Sequence, residues 1–177
     1  TTTKEETTKE EPVKTKWVNP FSDVKTDDWY YEYVKYINEK ELMKGISETE
    51  FAPNNTVTRA MFVTVLYRLE KEPTGAKADF ADVPEGAYYE NAVGWAVQNG
   101  IVNGVSETEF APNNTITREQ MATINHRYMK FKGLDMSVSE NVDVTSYEDF
   151  ENISDYAKDA FKFACKNGII SGISNTT

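Results

Sequence analysis

The stretch Gly45-Ile46-Ser47-Glu48-Thr49-Glu50-Phe51-Ala52-Pro53-Asn54-Asn55-Thr56-Val57-Thr58-Arg59 returns 59 positions later, without a gap, as Gly104 to Arg118. Of its 15 positions 13 are identical, and the other two are the swaps Ile46/Val105 and Val57/Ile116. Working outward at the same offset, Phe21-Ser22-Asp23-Val24 answers Phe80-Ala81-Asp82-Val83. A third copy begins near Tyr147, where Asn167-Gly168-Ile169-Ile170-Ser171-Gly172 answers Asn99-Gly100-Ile101-Val102-Asn103-Gly104. It stops at Thr177, one position before the expected Phe-Ala-Pro. A period of this length marks a supersecondary unit that buries its apolar face against its neighbours.

Each full copy reads as helix, loop, helix. Tyr30, Tyr33, Val34 and Ile37 follow the i, i+3, i+4, i+7 spacing of one helical face, with Asp27-Asp28 ahead of them as capping candidates. Gly45 closes that helix, Phe51 plugs the core and Pro53-Asn54-Asn55 turns the chain. The second helix is predicted to start behind the cap Thr58 and to bury Phe62, Val65, Leu66 and Leu69. In the second copy Thr117 and Gln120 make a capping box, and the matching face is Met121, Ile124, Asn125 and Tyr128. The third copy keeps a helix from about Tyr156 to Asn167, with Ala157, Ala160, Phe161 and Ala164 on one side. The fold class is all-α. Residues 1–16 read as a flexible Thr/Lys/Glu tether with no apolar core; 17–73, 74–133 and 134–177 are the three copies, the last truncated.

Charge and composition narrow the function. Nineteen basic against 29 acidic residues leave a formal charge of −10, which argues against nucleic acid and anionic membranes as general partners. One cysteine and one histidine exclude an internal disulfide and a multi-histidine metal centre, and no apolar run is long enough to span a bilayer. No cofactor or metal is expected, and no nucleophile stands near a histidine in sequence. Two of the 29 acids could serve glycoside hydrolysis, but nothing singles out a pair.

Arginine carries the signal. The four arginines fall into two pairs at the repeat offset, Arg59 with Arg118 and Arg68 with Arg127, whereas 15 lysines are scattered. Arg59 and Arg118 each follow the Thr cap, at a helix start where the backbone dipole disfavours a cation. That placement makes sense if free helix amides and a guanidinium converge on a carboxylate or phosphate, in which case both arginines serve the ligand rather than the fold. The alternative is a salt bridge from Arg59 to an Asp of the repeat. Arg68 and Arg127, half a turn away, read as structural or solvated. Asp23 and Asp82 are either turn caps or acceptors for sugar hydroxyls. Gly45 with Ser47, and Gly104 with Ser106, could offer amides and a hydroxyl to a ligand, though a helix stop explains the glycines equally well. Trp95 shares a repeat position with Tyr36 and Phe163 and is either a stacking surface or core.

Taken together, Phe-x-Asp-Val, an aromatic pair, a helix running into Gly-Ile-Val-x-Gly, and Phe-x-Pro-Asn-x-Thr-[Ile/Val]-Thr-Arg resemble the S-layer homology domain family over about Phe21 to Thr177. The resemblance implies a pseudo-threefold spindle with a central three-helix bundle. It also implies grooves between the repeats that bind cell-wall polysaccharide bearing ketal-linked pyruvate. By position, the anion-contacting role falls on Arg59 and Arg118, with Asp23, Asp82, Gly45, Ser47, Gly104, Ser106 and Trp95 as further groove members. The function so implied is non-catalytic anchoring of a secreted, multidomain protein to the bacterial cell wall or S-layer, without membrane insertion. The alternative is self-association within a surface array. This chain departs from the family's Thr-Arg-Ala-Glu at Met61 and Gln120, and it carries Ser-Glu-Thr-Glu where many members have Asp-Gly.

Overall fold

The computed structural model describes residues 17–74, 77–137, 142–144 and 147–173. The tether lies outside them. The described residues form five helices, α1 (Tyr31–Glu39), α2 (Arg59–Leu69), α3 (Glu90–Gln98), α4 (Arg118–Phe131) and α5 (Asp155–Lys166), with one 3-10 turn at Phe150–Asn152. No strand occurs among the described residues, only an isolated bridge between Thr58 and Thr115. The chain is all-α. Among the described residues no helix is long and apolar enough to cross a membrane.

The caps follow the sequence at the second helices. Thr58 accepts the amide of Met61, and Thr117 with Gln120 closes the full reciprocal box. At α1 the expected Asp27-Asp28 cap is absent. Tyr30 takes the N-cap position without a side-chain bond, and Asp28 accepts from the Lys25 amide instead, closing the turn before the helix.

The described residues divide into two compact units between Pro53 and Asn54. In the first, Phe21, Val24 and Val34 form a small core against which Tyr30, Tyr31 and Phe51 pack, with the Phe21 and Phe51 rings 5.2 Å apart. Tyr33, assigned to the buried face by periodicity, stays 67% exposed. In the second unit, α2 packs on α3 and α4 on α5, so the second helix of one copy pairs with the first helix of the next. Val63, Ala92, Val93, Ala96, Ile101 and Phe110 are sealed from solvent at its centre.

The buried face of α2 differs from the expected one. Ala60, Val63, Thr64 and Leu66 point inward, while Leu69 is half exposed. The stripe Ala60, Val63, Thr64 also has helical spacing, and its small side chains let α3 approach closely. In α4 the buried residues are Ala122, Thr123 and Ile124, and Asn125 is half-buried where Leu66 is buried. In α5 the expected Ala157, Ala160 and Ala164 are buried, joined by Phe163.

Candidate functional site

Two loops of nearly identical sequence set the geometry. Both oxygens of Asp82 accept backbone amides, from Phe110 at 2.8 Å and Ala111 at 2.7 Å. Asp23 does the same with Phe51 at 2.9 Å and Ala52 at 2.7 Å. Each carboxylate thereby holds a loop in which the alanine sits in the left-handed region, at φ 59° for Ala52 and 58° for Ala111. The Phe51 amide bond holds the Asp23 carboxyl below its ordinary value. The glycines are equally committed. A Cβ on Gly104 would lie 2.6 Å from the Glu109 carbonyl and 2.6 Å from the Phe80 ring. On Gly45 it would lie 2.6 Å from the Glu50 carbonyl, and φ is +84°. The Ser106 hydroxyl accepts the Glu109 amide at 3.1 Å, and the Ser47 hydroxyl accepts the Thr49 amide at 3.3 Å. Asp23, Asp82, Ser47 and Ser106 thus brace their own loops.

The loop of the second copy receives α2. Arg59 is 6% exposed. Its Nε donates to the Phe110 carbonyl at 3.0 Å and its Nη2 to the Asn103 carbonyl at 3.1 Å. The guanidinium carbon stands 4.8 Å from the centre of the Phe110 ring. The backbone amides of Arg59 and Ala60 donate to the carbonyls of Asn114 and Pro112, each at 3.0 Å. The amides expected to be free for an anion are therefore occupied by the next repeat, whose carbonyls also offset the helix dipole. No salt bridge to an Asp forms; burial lowers the pKa of the guanidinium, opposed first by Tyr156 and then by Asp82 at longer range. Arg59 therefore also serves the fold.

Beside Arg59 opens a cleft of about 430 Å³ lined by Asn103, Gly104, Val105, Gln120, Thr123, Arg127 and Tyr156, with Val102 and Ile124 at its base. Three successive copies contribute: α2 from the first, the glycine loop and α4 from the second, and Tyr156 from the third. Tyr156 is fixed by Glu119, which accepts its hydroxyl at 3.1 Å and also takes the Ser154 amide at 3.0 Å. Among the described residues no carboxylate lines the cleft.

Of the sequence-derived candidates, Arg59 and Gly104 meet in this cleft. Arg118 lies outside it, exposed, with its Nη2 2.6 Å from the Ser171 carbonyl. Trp95 is in the core, 5% exposed, with its ring 5.8 Å from both Tyr67 and Phe131. Sequence reasoning missed Arg127, Tyr156 and Asn103. Arg127 and Tyr156 had a signal in their repeat-matched mates Arg68 and Tyr88, whereas Asn103 acts through its carbonyl and has none.

The family model of the S-layer homology domain matches residues 20–61 and 79–122, which bracket both Asp-braced loops. The chain carries two S-layer homology domains. Its S-layer homology repeats are similar to parts of several curated proteins. It is 40% identical over 146 residues to an endoglucanase of Bacillus sp. strain KSM-635, covering 82% of this chain and 15% of that protein. It is 35% identical over 153 residues to the exoglucanase XynX of Acetivibrio thermocellus, covering 86% and 14%. A cellulosome-anchoring protein of Acetivibrio thermocellus is 29% identical over 142 residues, covering 76% and 32%. The chain thus spans less than a third of the length of each. S-layer homology domains are cell-surface anchoring modules, and the family places this chain at the cell surface or cell wall.

Proposed function

We propose that the cleft beside Arg59 binds a pyruvylated cell-wall polysaccharide, and that the chain is the non-catalytic anchoring part of a larger surface protein. One observation carries this reading. In a chain of formal charge −10, the described residues that line the cleft include two arginines and no acid. Bulk charge would repel an anionic polymer, so affinity must come from placed cations in a partly desolvated recess. Gln120, Thr123 and the Tyr156 ring supply the neutral donors, acceptors and apolar face that sugar hydroxyls and ring carbons require. The second arginine of the Thr-Arg element, Arg118, makes a matching contact one repeat on and takes the same role in an adjacent groove. The braced loop residues Asp23, Asp82, Gly45, Ser47 and Ser106 support the grooves rather than touch the sugar.

The test is a comparison of binding to native and depyruvylated wall polymer. Native polymer should be retained and depyruvylated polymer lost. Val105→Asp places a carboxylate at the rim of the cleft, on a side chain already 53% exposed, and should abolish retention while leaving melting unchanged. Equal retention of both polymers, or full retention by Val105→Asp, would sink the reading.

A further inference from the structure

The two arginines of the cleft are not equivalent as ligand readers. Arg59 has already committed Nε and one Nη2 hydrogen to carbonyls of the next repeat. Arg127 is half-buried in the cleft wall. Among the described residues its side chain donates no hydrogen bond and meets no carboxylate. Its repeat mate Arg68 pairs instead with Glu72, Nε to Oε1 3.6 Å, four residues on along the chain. The position matching Glu72 in the second copy is Phe131. The partner just past the helix end that occupies Arg68 is therefore missing for Arg127, and its five N–H donors face a recess that no described acid lines.

We propose that Arg127 is the residue that reads the ligand's carboxylate, through the planar fork of Nε and Nη, while Arg59 supplies field and one open edge. This rests on the anionic-glycan reading of the cleft and deepens it. A guanidinium with both fork donors free forms two parallel bonds to one carboxylate, which an already committed guanidinium cannot do. The cleft is then specific for a sugar whose carboxylate projects far enough to reach the α4 wall, as a ketal-linked pyruvate does.

Titration calorimetry of the whole chain, with a glycoside carrying ketal-linked pyruvate and the same glycoside without it, tests the assignment. Wild type should bind only the pyruvylated form. Arg127→Gln should bind it about tenfold to a hundredfold more weakly with unchanged melting, because its guanidinium makes no bond among the described residues. Arg127→Lys should lose most of the same affinity, and Arg68→Gln none. Wild-type affinity in Arg127→Gln, alongside lost binding in Val105→Asp, would overturn the role of Arg127 and leave the cleft reading standing. Wild-type affinity in Arg127→Lys would overturn the fork. Failure of the wild type to bind the pyruvylated glycoside would overturn cleft and fork together.

Discussion

Arg59 and Arg118 make the same bond one repeat apart: Nη2 of the first lies 3.1 Å from the Asn103 carbonyl, and Nη2 of the second 2.6 Å from that of Ser171. Asn103 and Ser171 occupy matching positions before the second glycine of their loops. The arginine after the Thr cap therefore clasps the following repeat. The clasps differ in depth. Arg59 is buried and adds the Phe110 carbonyl and ring, whereas Arg118 is exposed.

That difference predicts unequal costs. Arg59→Ala removes a buried cation and leaves the Phe110 and Asn103 carbonyls without their donor, which should cost about 2–4 kcal/mol. Arg118→Ala should cost under about 1 kcal/mol, since water replaces its exposed bond. Urea unfolding of both variants measures this, and equal losses would contradict the clasp. Binding data for Arg59→Ala are interpretable only beside that measurement.

Gly104→Ala forces a Cβ against backbone and the Phe80 ring and should destabilise by about 1–3 kcal/mol. Gly45→Ala meets the same crowding with a left-handed backbone as well, adding about 1 kcal/mol. Gly86 has φ +81° but open space around it, so Gly86→Ala should be the mildest of the three. Thermal melts that rank Gly86→Ala as worst would refute this account of the loops.

Asp82→Asn replaces one of two acceptor oxygens with a donor that faces an amide N–H, and should cost about 1–3 kcal/mol. Acid acts on the sister site. Because the Phe51 amide holds the Asp23 carboxyl below its unfolded value of 3.8, the contribution of Asp23 is complete above that pH and is lost as pH falls through the lower folded value. Melting followed from pH 6 downward should decline less steeply in Asp23→Asn than in wild type below about pH 4.

A second acid window belongs to His126, whose ring packs 5.3 Å from Phe163 between α4 and α5. Burial lowers its pKa from 6.5, with Lys130 and Arg127 acting in the same sense and Asp159 opposing. The unfolded chain therefore takes the proton first, and stability falls as pH drops through about 6.5. His126→Gln should flatten melting between pH 7.5 and pH 5, while leaving the carboxylate decline below about pH 4 in place. An unchanged slope would mean that the ring is solvated.

Much of this was legible in the repeat. The helices, the Thr caps and the Thr117–Gln120 box rest on side-chain chemistry that acts within a few residues of itself, and the Phe51 plug showed as the one large apolar residue in a polar loop. The inward stripe of α2 was not legible, because periodicity weights large apolar residues and the packed face is built on Ala60, Val63 and Thr64. Nor was the setting of Arg59, whose partners are carbonyls 44 and 51 residues further on. A backbone acceptor leaves no mark on composition. Arg127 and Arg68 looked alike because their difference lies in a third position, Glu72 against Phe131.

The helix pairing runs out of step with the written repeat: α2 belongs with α3 and α4 with α5. Gene shuffling should respect the pairs rather than the motifs. A crossover placed in the polar linker after Leu69 would divorce α2 from α3 and hand each a foreign surface. A crossover at the Pro53-Asn54 turn, where the compact units also divide, would pass every helix pair on intact. Both arginine clasps and the cleft beside Arg59 lie on one side of that joint and would travel together into the hybrid.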